Sequence, residues 1–433
     1  MTGFGTGQAA APAPRPAPPT STAAPPAAAP AVLRAAPPVA QVAAAPLPTV
    51  RPAVAITPAT RPPVTAGRPD PAAPPRPRTP DRSPRRRLVL PIVAGELVLV
   101  LVLLVLDRSW PAIVVVACCG VMLGAFVTAR VRGHLLCQWV LLAVRFLLRD
   151  RAADLPGDQP GAALLRLLRP EARGSHTMIG DAQAFVVSDA AGVGTVLRPE
   201  SNRREPGPPM LSPRDLLPGA DRVADEQALA YAVQVVHHAG VDRSQPPRVW
   251  LTLQALRTAE VYADDDVLAA LANVVRRVRR RLRKAGVPFR TLTDEETLGS
   301  YAALANVNAG RRSVREEWWL WHSGPIRHAT FRLDGWAALS QQAAARLVRW
   351  LLAAAPDTAV TVSCTAHHSP TEPGGTPVVA AVLRIATSRP EALDAAVTDV
   401  AQLANEVGVT LNRLDGRHAI GVAATLPVGV VTT

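Results

Sequence analysis

Two almost wholly apolar runs, 88–106 and 112–129, constrain this chain more than anything else in it. Each has about the length a helix needs to cross a hydrocarbon core of roughly 30 Å. Only Asp107, Arg108, Ser109, Trp110 and Pro111 separate them. A link that short makes the two helices antiparallel neighbours, and Trp110 suits the interfacial aromatic belt. Arg85, Arg86 and Arg87 precede the first run, and Arg130 and Arg132 follow the second. The positive-inside rule then predicts a two-helix transmembrane hairpin with both ends in the cytoplasm. The first run lies too deep for a signal peptide, and no small-residue cleavage pattern ends it. Glu96 falls inside the first run, where an ionisable group marks function. Two spans are too few for a transport pathway, so Glu96 is expected to pair with a partner helix. A third apolar stretch, 134–148, is interrupted by Gln138 and Arg145 and reads as an interfacial or core-facing helix.

The charge is uneven. Residues 1–87 hold eleven Arg against Asp70 and Asp81, and residues 88–149 hold five Arg against Glu96 and Asp107. Of the net +13, only +1 is left for residues 150–433. A nearly neutral soluble region argues against a nucleic-acid-binding face. The tail 1–87 carries 23 of the 44 prolines and few large apolar residues, so it is expected to be disordered with polyproline II character. The four Cys (118, 119, 137 and 364) show no disulfide or zinc spacing.

Beyond residue 175 the patterns alternate between strand and helix. Residues 184–188 and 193–197 flank a turn through Asp189 and Gly192 and predict a hairpin. Asp225 opens an apolar stretch that stops before Gly240 and reads as a helix closed by His237 and His238. Alternation at Val249, Leu251 and Leu253 predicts a strand. Asp264, Asp265 and Asp266 start a long helix ending at Gly286, with acids first and bases last as the helix dipole favours. Residues 289–292 read as a short strand, and Thr293 with Glu296 has capping-box spacing before another helix. Residues 317–321 and 326–333 read as a hairpin. From 326 the order is strand, helix (340–355), strand (359–365), strand (378–386), helix (390–407) and strand (409–412). The predicted fold class is membrane-anchored α/β: a two-helix transmembrane hairpin, then a cytoplasmic α+β domain of two lobes, the C-terminal lobe ferredoxin-like (βαββαβ). The expected divisions are a tail (1–87), the hairpin (88–129), a juxtamembrane helix and linker (130–175), a first lobe (176–310) and a second lobe (311–433).

Signatures of chemistry are sparse. GxxxxGK[ST], HExxH and GxSxG are absent from the sequence. His237 and His238, adjacent on a helix, would diverge by about 100° and make a poor shared metal site. His367, His368 and Cys364 have the elements of a metal site without a diagnostic spacing. No catalytic residue, cofactor or metal is therefore expected. The basic run 276–284 offers Arg276 and Arg280 as contacts for anionic lipid or an acidic partner, or simply as a solvated face. Two rival readings remain: a membrane-bound transferase using Asp264 to Asp266, and an anionic-lipid or signalling sensor working through the basic helix.

The densest signal is the stretch 316–336. Trp318, Trp319, Trp321, Phe331 and Trp336 gather there in a chain that is 4% aromatic. On a strand Trp319 and Trp321 would share one face and Trp318 the other, so Trp318 and Trp321 are candidate partner contacts, with core packing the plainer reading. Trp318, Trp321, Gly324, His328, Phe331, Leu333 and Trp336 form the pattern W-x-x-W-x-x-G-x-x-x-H-x-x-F-x-L-x-x-W. With the paired apolar runs, this resembles EccE, the E subunit of the actinobacterial type VII (ESX) secretion membrane complex. The resemblance covers roughly 85–433; the long Ala/Pro tail departs from it. It implies a structural, non-enzymatic subunit in the plasma membrane. Its partners would be the B, C (ATPase) and D components, the mycosin protease and membrane lipids, with no nucleic acid and no cofactor.

Overall fold

The computed structural model describes residues 134–430, apart from 181, 201–209, 219–228, 370 and 372–374, together with scattered positions between 96 and 131. The tail and nearly all of the runs 88–106 and 112–129 lie outside the described residues.

The described part is built on one 13-stranded antiparallel sheet beside a two-stranded ribbon, β1 (Arg130–Val131) with β2 (His134–Leu135). Helix α1 (Leu136–Leu148) leads to β3 (Ala152–Asp154), helix α2 (Pro160–Leu168) and the hairpin strands β4 (Arg173–Ile179) and β5 (Ala182–Asp189). Then come β6 (Gly192–Pro199), the one-turn α3 (Pro213–Leu216), β7 (Ala230–Ala239), β8 (Arg248–Leu256), α4 (Asp264–Lys284), β9 (Phe289–Thr291) and α5 (Asp294–Leu304). A second round follows: β10 (Ser313–Glu316), β11 (Trp321–Ser323), β12 (Ile326–Asp334), α6 (Gln341–Ala353), β13 (Ala359–His367) and β14 (Val378–Thr387). Helix α7 (Pro390–Asn405), β15 (Thr410–Arg413) and α8 (His418–Ala424) complete the chain.

Those two rounds share one connectivity. β6-α3-β7-β8-α4-β9 and β12-α6-β13-β14-α7-β15 each lay their strands in the order fourth, first, third, second. In each, the first strand also pairs with the hairpin strand before it, β5 or β11. The rounds meet where β7 and β13 pair antiparallel from Val360↔Ala239 to His367↔Ala232.

This corrects the expected architecture. The second half is not a lobe of its own, because β13 gives one edge to β14 and the other to β7. Two units with an open edge each have merged, which satisfies backbone groups that an exposed edge would leave unpaired. The transmembrane hairpin is also not supported: among the described residues no helix is long and apolar enough to cross a membrane. Helix α1 has 13 residues, about 20 Å at 1.5 Å per residue. Helix α4 is longer but carries an arginine-rich outer face.

A further correction concerns 229–239, the described part of the stretch that reads as a helix from Asp225. The predicted helix is strand β7, buried along nearly its whole length. A continuous apolar run covered on both sides has no two-residue period, so periodicity does not separate it from a buried helix. The capping box at Thr293 is present, with the Thr293 hydroxyl accepting from Glu296 N–H and the Glu296 carboxylate accepting from Thr293 N–H.

Side-chain alternation gives the sheet two unlike faces. One is apolar: Val233 and Val235 of β7, Leu251 and Leu253 of β8, Val360 and Val362 of β13, and Leu383 and Ile385 of β14. Helices α3, α4, α6 and α7 cover it. The opposite face carries a polar row through its centre. In register, Thr330, Arg384, Thr361, His238 and Arg248 lie side by side on β12, β14, β13, β7 and β8. Helix α8 and residues 425–430 close over this side. Gln234 fastens them: its amide N–H groups donate to the carbonyls of Ala424 and Leu426, and its oxygen accepts from Gly429 N–H, each at 2.9 Å.

Candidate partner-contact site

The tryptophan-rich stretch splits between core and surface. The segment 317–320 is a bend rather than a strand, because β10 stops at Glu316 and β11 starts at Trp321. Trp321 is 3% exposed, its indole N–H donating to Ser323 Oγ at 3.3 Å. That corrects its standing as a partner contact. Phe331 and Leu333 belong to the apolar face, and Trp336 closes it in a 3-10 turn. Gly324 adopts φ +54° in the turn between β11 and β12, a region that favours glycine. His328 is buried on the polar face beside Trp321, its cross-strand partner.

Trp318 does something else: it holds helix α1. Its ring centroid lies 5.2 Å from that of Phe146, edge-on at 88°, and 6.0 Å from that of Trp139. Trp319, 6.4 Å from Trp318, is 47% exposed and lies under the Arg413 guanidinium at 4.7 Å. Arg151 stands 5.0 Å over Phe146. Such offset and edge-on pairs, with cations over ring faces, add to plain area burial. The backbone is drawn in too, with Gly416 N–H donating to Trp318 O at 2.7 Å. Gly416 has φ +65°, and a Cβ there would come within 2.8 Å of the Trp318 ring.

Glu316 anchors the collar from below. It is 4% exposed, accepts from Arg149 and accepts from Ala419 N–H at 3.0 Å, at the start of α8. Burial nonetheless dominates and raises its pKa. β3 adds to β10 as an edge strand, so the chain leaving α1 is stitched to the tryptophan segment. The outer side of α1 stays bare: Val140, Leu141, Val144, Leu147 and Leu148 are between 44% and 83% exposed. A helix apolar on both sides, with only one side packed, needs another apolar surface.

The remaining expected contacts are elsewhere. Glu96 is an exposed residue in helical backbone. Arg276 and Arg280 are exposed on α4, which packs on β6 and β8 in the other half of the sheet. Arg276 donates to Asn273 Oδ1 at 2.6 Å. Among the acids at the start of α4, Asp264 accepts from Arg257, which holds its carboxyl below the usual range. His237 and His238, on a strand rather than a helix, point to opposite faces. Among the described residues no group of three His, Cys, Asp or Glu side chains could hold a metal ion.

Sequence reasoning missed the interior polar groups. Burial pushes the His238 and His418 imidazoles down to about 3, and nearby arginines assist. His328 lies well below its ordinary value for the same reason. Arg384 is 1% exposed. A lone arginine in the apolar run 378–387 was the available signal. On the apolar face, a cleft of about 610 Å3 lies between α3 and α6, with His237 and Cys364 among its lining residues. It opens because the first round has a helix of 4 residues where the second has one of 13.

Residues 248–333, from β8 into β12, match a family model described as the type VII ESX secretion system translocon, EccE. The match supports EccE as the family of this chain. It includes Trp318 through Leu333 of the pattern, while the partners of Trp318 at 139–151 and 416 lie outside the matched residues. No curated protein matches the chain. Among solved structures, 6-hydroxy-D-nicotine oxidase from Arthrobacter nicotinovorans aligns at 13% identity and TM-score 0.25, over 56% of this chain and half of that one. A likeness that distant carries no argument about fold or activity.

Proposed function

We propose that this protein is a structural, non-enzymatic subunit of a type VII secretion membrane complex, contributing to assembly and stability of the export machine. The observation that carries the reading is the EccE match over 248–333. The collar gives it a physical form. Trp318, Trp139 and Phe146 fix α1 against the sheet, and the opposite side of α1 offers Val140, Leu141, Val144, Leu147 and Leu148. In this reading α1 is a juxtamembrane helix that beds its bare side in the lipid interface, with the exposed Arg145 at headgroup level. The partners are the B, C and D components and the mycosin protease at the plasma membrane.

The test is affinity purification of the tagged full chain from native membranes. Co-purification in fixed ratio with a multi-span membrane protein and the C-type ATPase is the expected result. A complex that assembles and secretes normally without this chain would end the proposal. A transferase reading would revive if substituting Asp264 to Asp266 abolished a measured turnover.

A further inference from the structure

Arg384 is the largest fully buried side chain among the described residues, and its charge has no counterpart. Nη2 donates to Leu304 O at 2.8 Å, while Nε and Nη1 have no partner. Leu304 ends helix α5, so the negative end of that dipole offers about half a unit charge. No ion pair to a carboxylate is formed by Arg384 among the described residues; burial is the one influence on its pKa, which is pushed down only to about 9. The guanidinium therefore stays cationic at neutral pH inside the protein, an arrangement that is costly without a paired negative charge.

Its polar neighbours supply no negative charge. Thr330 is its direct cross-strand neighbour on β12, and His328 is one pair further along the same face. Neither ring nitrogen of His328 has a partner. His418 is engaged, its Nδ1 bonded to Thr330 Oγ1 at 2.9 Å and its ring also interacting with the Trp318 carbonyl. Four buried nitrogens on two side chains, Arg384 and His328, are thus without a hydrogen-bond partner among the described residues, where folded proteins normally leave almost none.

We propose that a small monovalent anion of chloride size occupies the interior of this face, held by Arg384 Nε and Nη1 together with the ring N–H of His328. A partner's carboxylate does not reach a side chain that is 1% exposed. Ordered water would satisfy the nitrogens but would bring no negative charge, and that is the rival the experiment separates.

The measurement is thermal unfolding of the purified full chain at constant ionic strength, with sodium bromide replacing sodium gluconate stepwise. The expected result is a midpoint that rises with bromide and saturates. The rise should vanish in Arg384→Met and persist in Arg280→Gln, which separates the inner site from surface screening. An identical midpoint in both salts, or an equal rise in Arg384→Met, overturns the proposal. Should Arg384→Met fail to fold, crystals of the unaltered protein grown in bromide decide the matter. An anomalous peak within hydrogen-bonding distance of Arg384 supports the site, and water alone at that position refutes it.

Discussion

The two faces of the sheet are built by different rules. On the helix-covered face, Leu251, Leu253, Val360 and Val362 need only shape and contact. Opposite them, Gln234, Thr361, His238 and Arg384 each need a partner at a particular distance. Apolar packing tolerates a range of sequences of similar volume, whereas a polar interior is stable only when its bonds are complete. The difference teaches where each face is vulnerable: the apolar one to lost volume, the polar one to a single lost partner.

Substitutions can break that comparison, and the largest effect should come from Gln234→Leu. The change strands the carbonyls of Ala424 and Leu426 and the N–H of Gly429 in the interior, at about 1–3 kcal/mol each. Amide hydrogen exchange should accelerate in 425–430 before it does in β8. Uniform acceleration everywhere would mean the tail is not held by this side chain. Leu251→Ala on the other face should cost about 2–5 kcal/mol through its cavity, read in urea unfolding, without local loosening of the C-terminal segment.

Acidification sharpens the same contrast. His238 and His418 on the polar face, and His237 on the apolar face at about 4, all titrate below 6.5 when folded. Their folded values are depressed, so the stability they contribute is complete above pH 6.5 and is lost as pH falls toward 4 and 3. The loss is on the order of 1.4 kcal/mol per pH unit for each imidazole. His238→Phe should flatten the stability profile between pH 6 and pH 4; an unchanged slope would place the titration elsewhere. Gly416→Ala should cost about 1–3 kcal/mol, because the residue is left-handed and its new Cβ meets the Trp318 ring. Its signature is a shift in tryptophan fluorescence with the β7–β13 core intact. The smallest effect belongs to Arg280→Gln on the solvated face of α4, within about 0.5 kcal/mol in thermal unfolding.

Legibility followed the same division. Helix α4 was readable because acids open it, arginines close it and valines recur at helical spacing. Its apolar stripe, Val267, Leu271, Val274, Val275, Val278 and Leu282, is buried as that spacing requires. The hairpin of β5 and β6 was readable from alternation around Asp189 and Gly192. β7 was not, since its residues are covered on both sides and carry no alternation. Trp318 was singled out but not its partners. Trp139 and Phe146 lie some 170 residues earlier, and nothing local links them to it. His328 stands in the tryptophan pattern with no local sign of its role, and only the apolar neighbours of Arg384 hint that it is buried.

By itself the sequence determined the alternation of strands and helices along 248–304 and 326–413, the capped start of α5, and the tryptophan pattern of which the EccE match includes Trp318 through Leu333. These are local properties, set by turn residues, caps and periodicity within a few residues of one another. Only the tertiary structure decided that β7 and β13 join two rounds into one sheet, that Trp321 is interior while Trp318 clamps α1, and that an arginine lies buried beside the unpartnered imidazole of His328. Each depends on contacts between residues far apart in the sequence, from some fifty positions for Arg384 and Thr330 to well over a hundred for β7 and β13. Such pairing is chosen by which open edges and bare faces can satisfy one another, and a linear pattern does not record that choice.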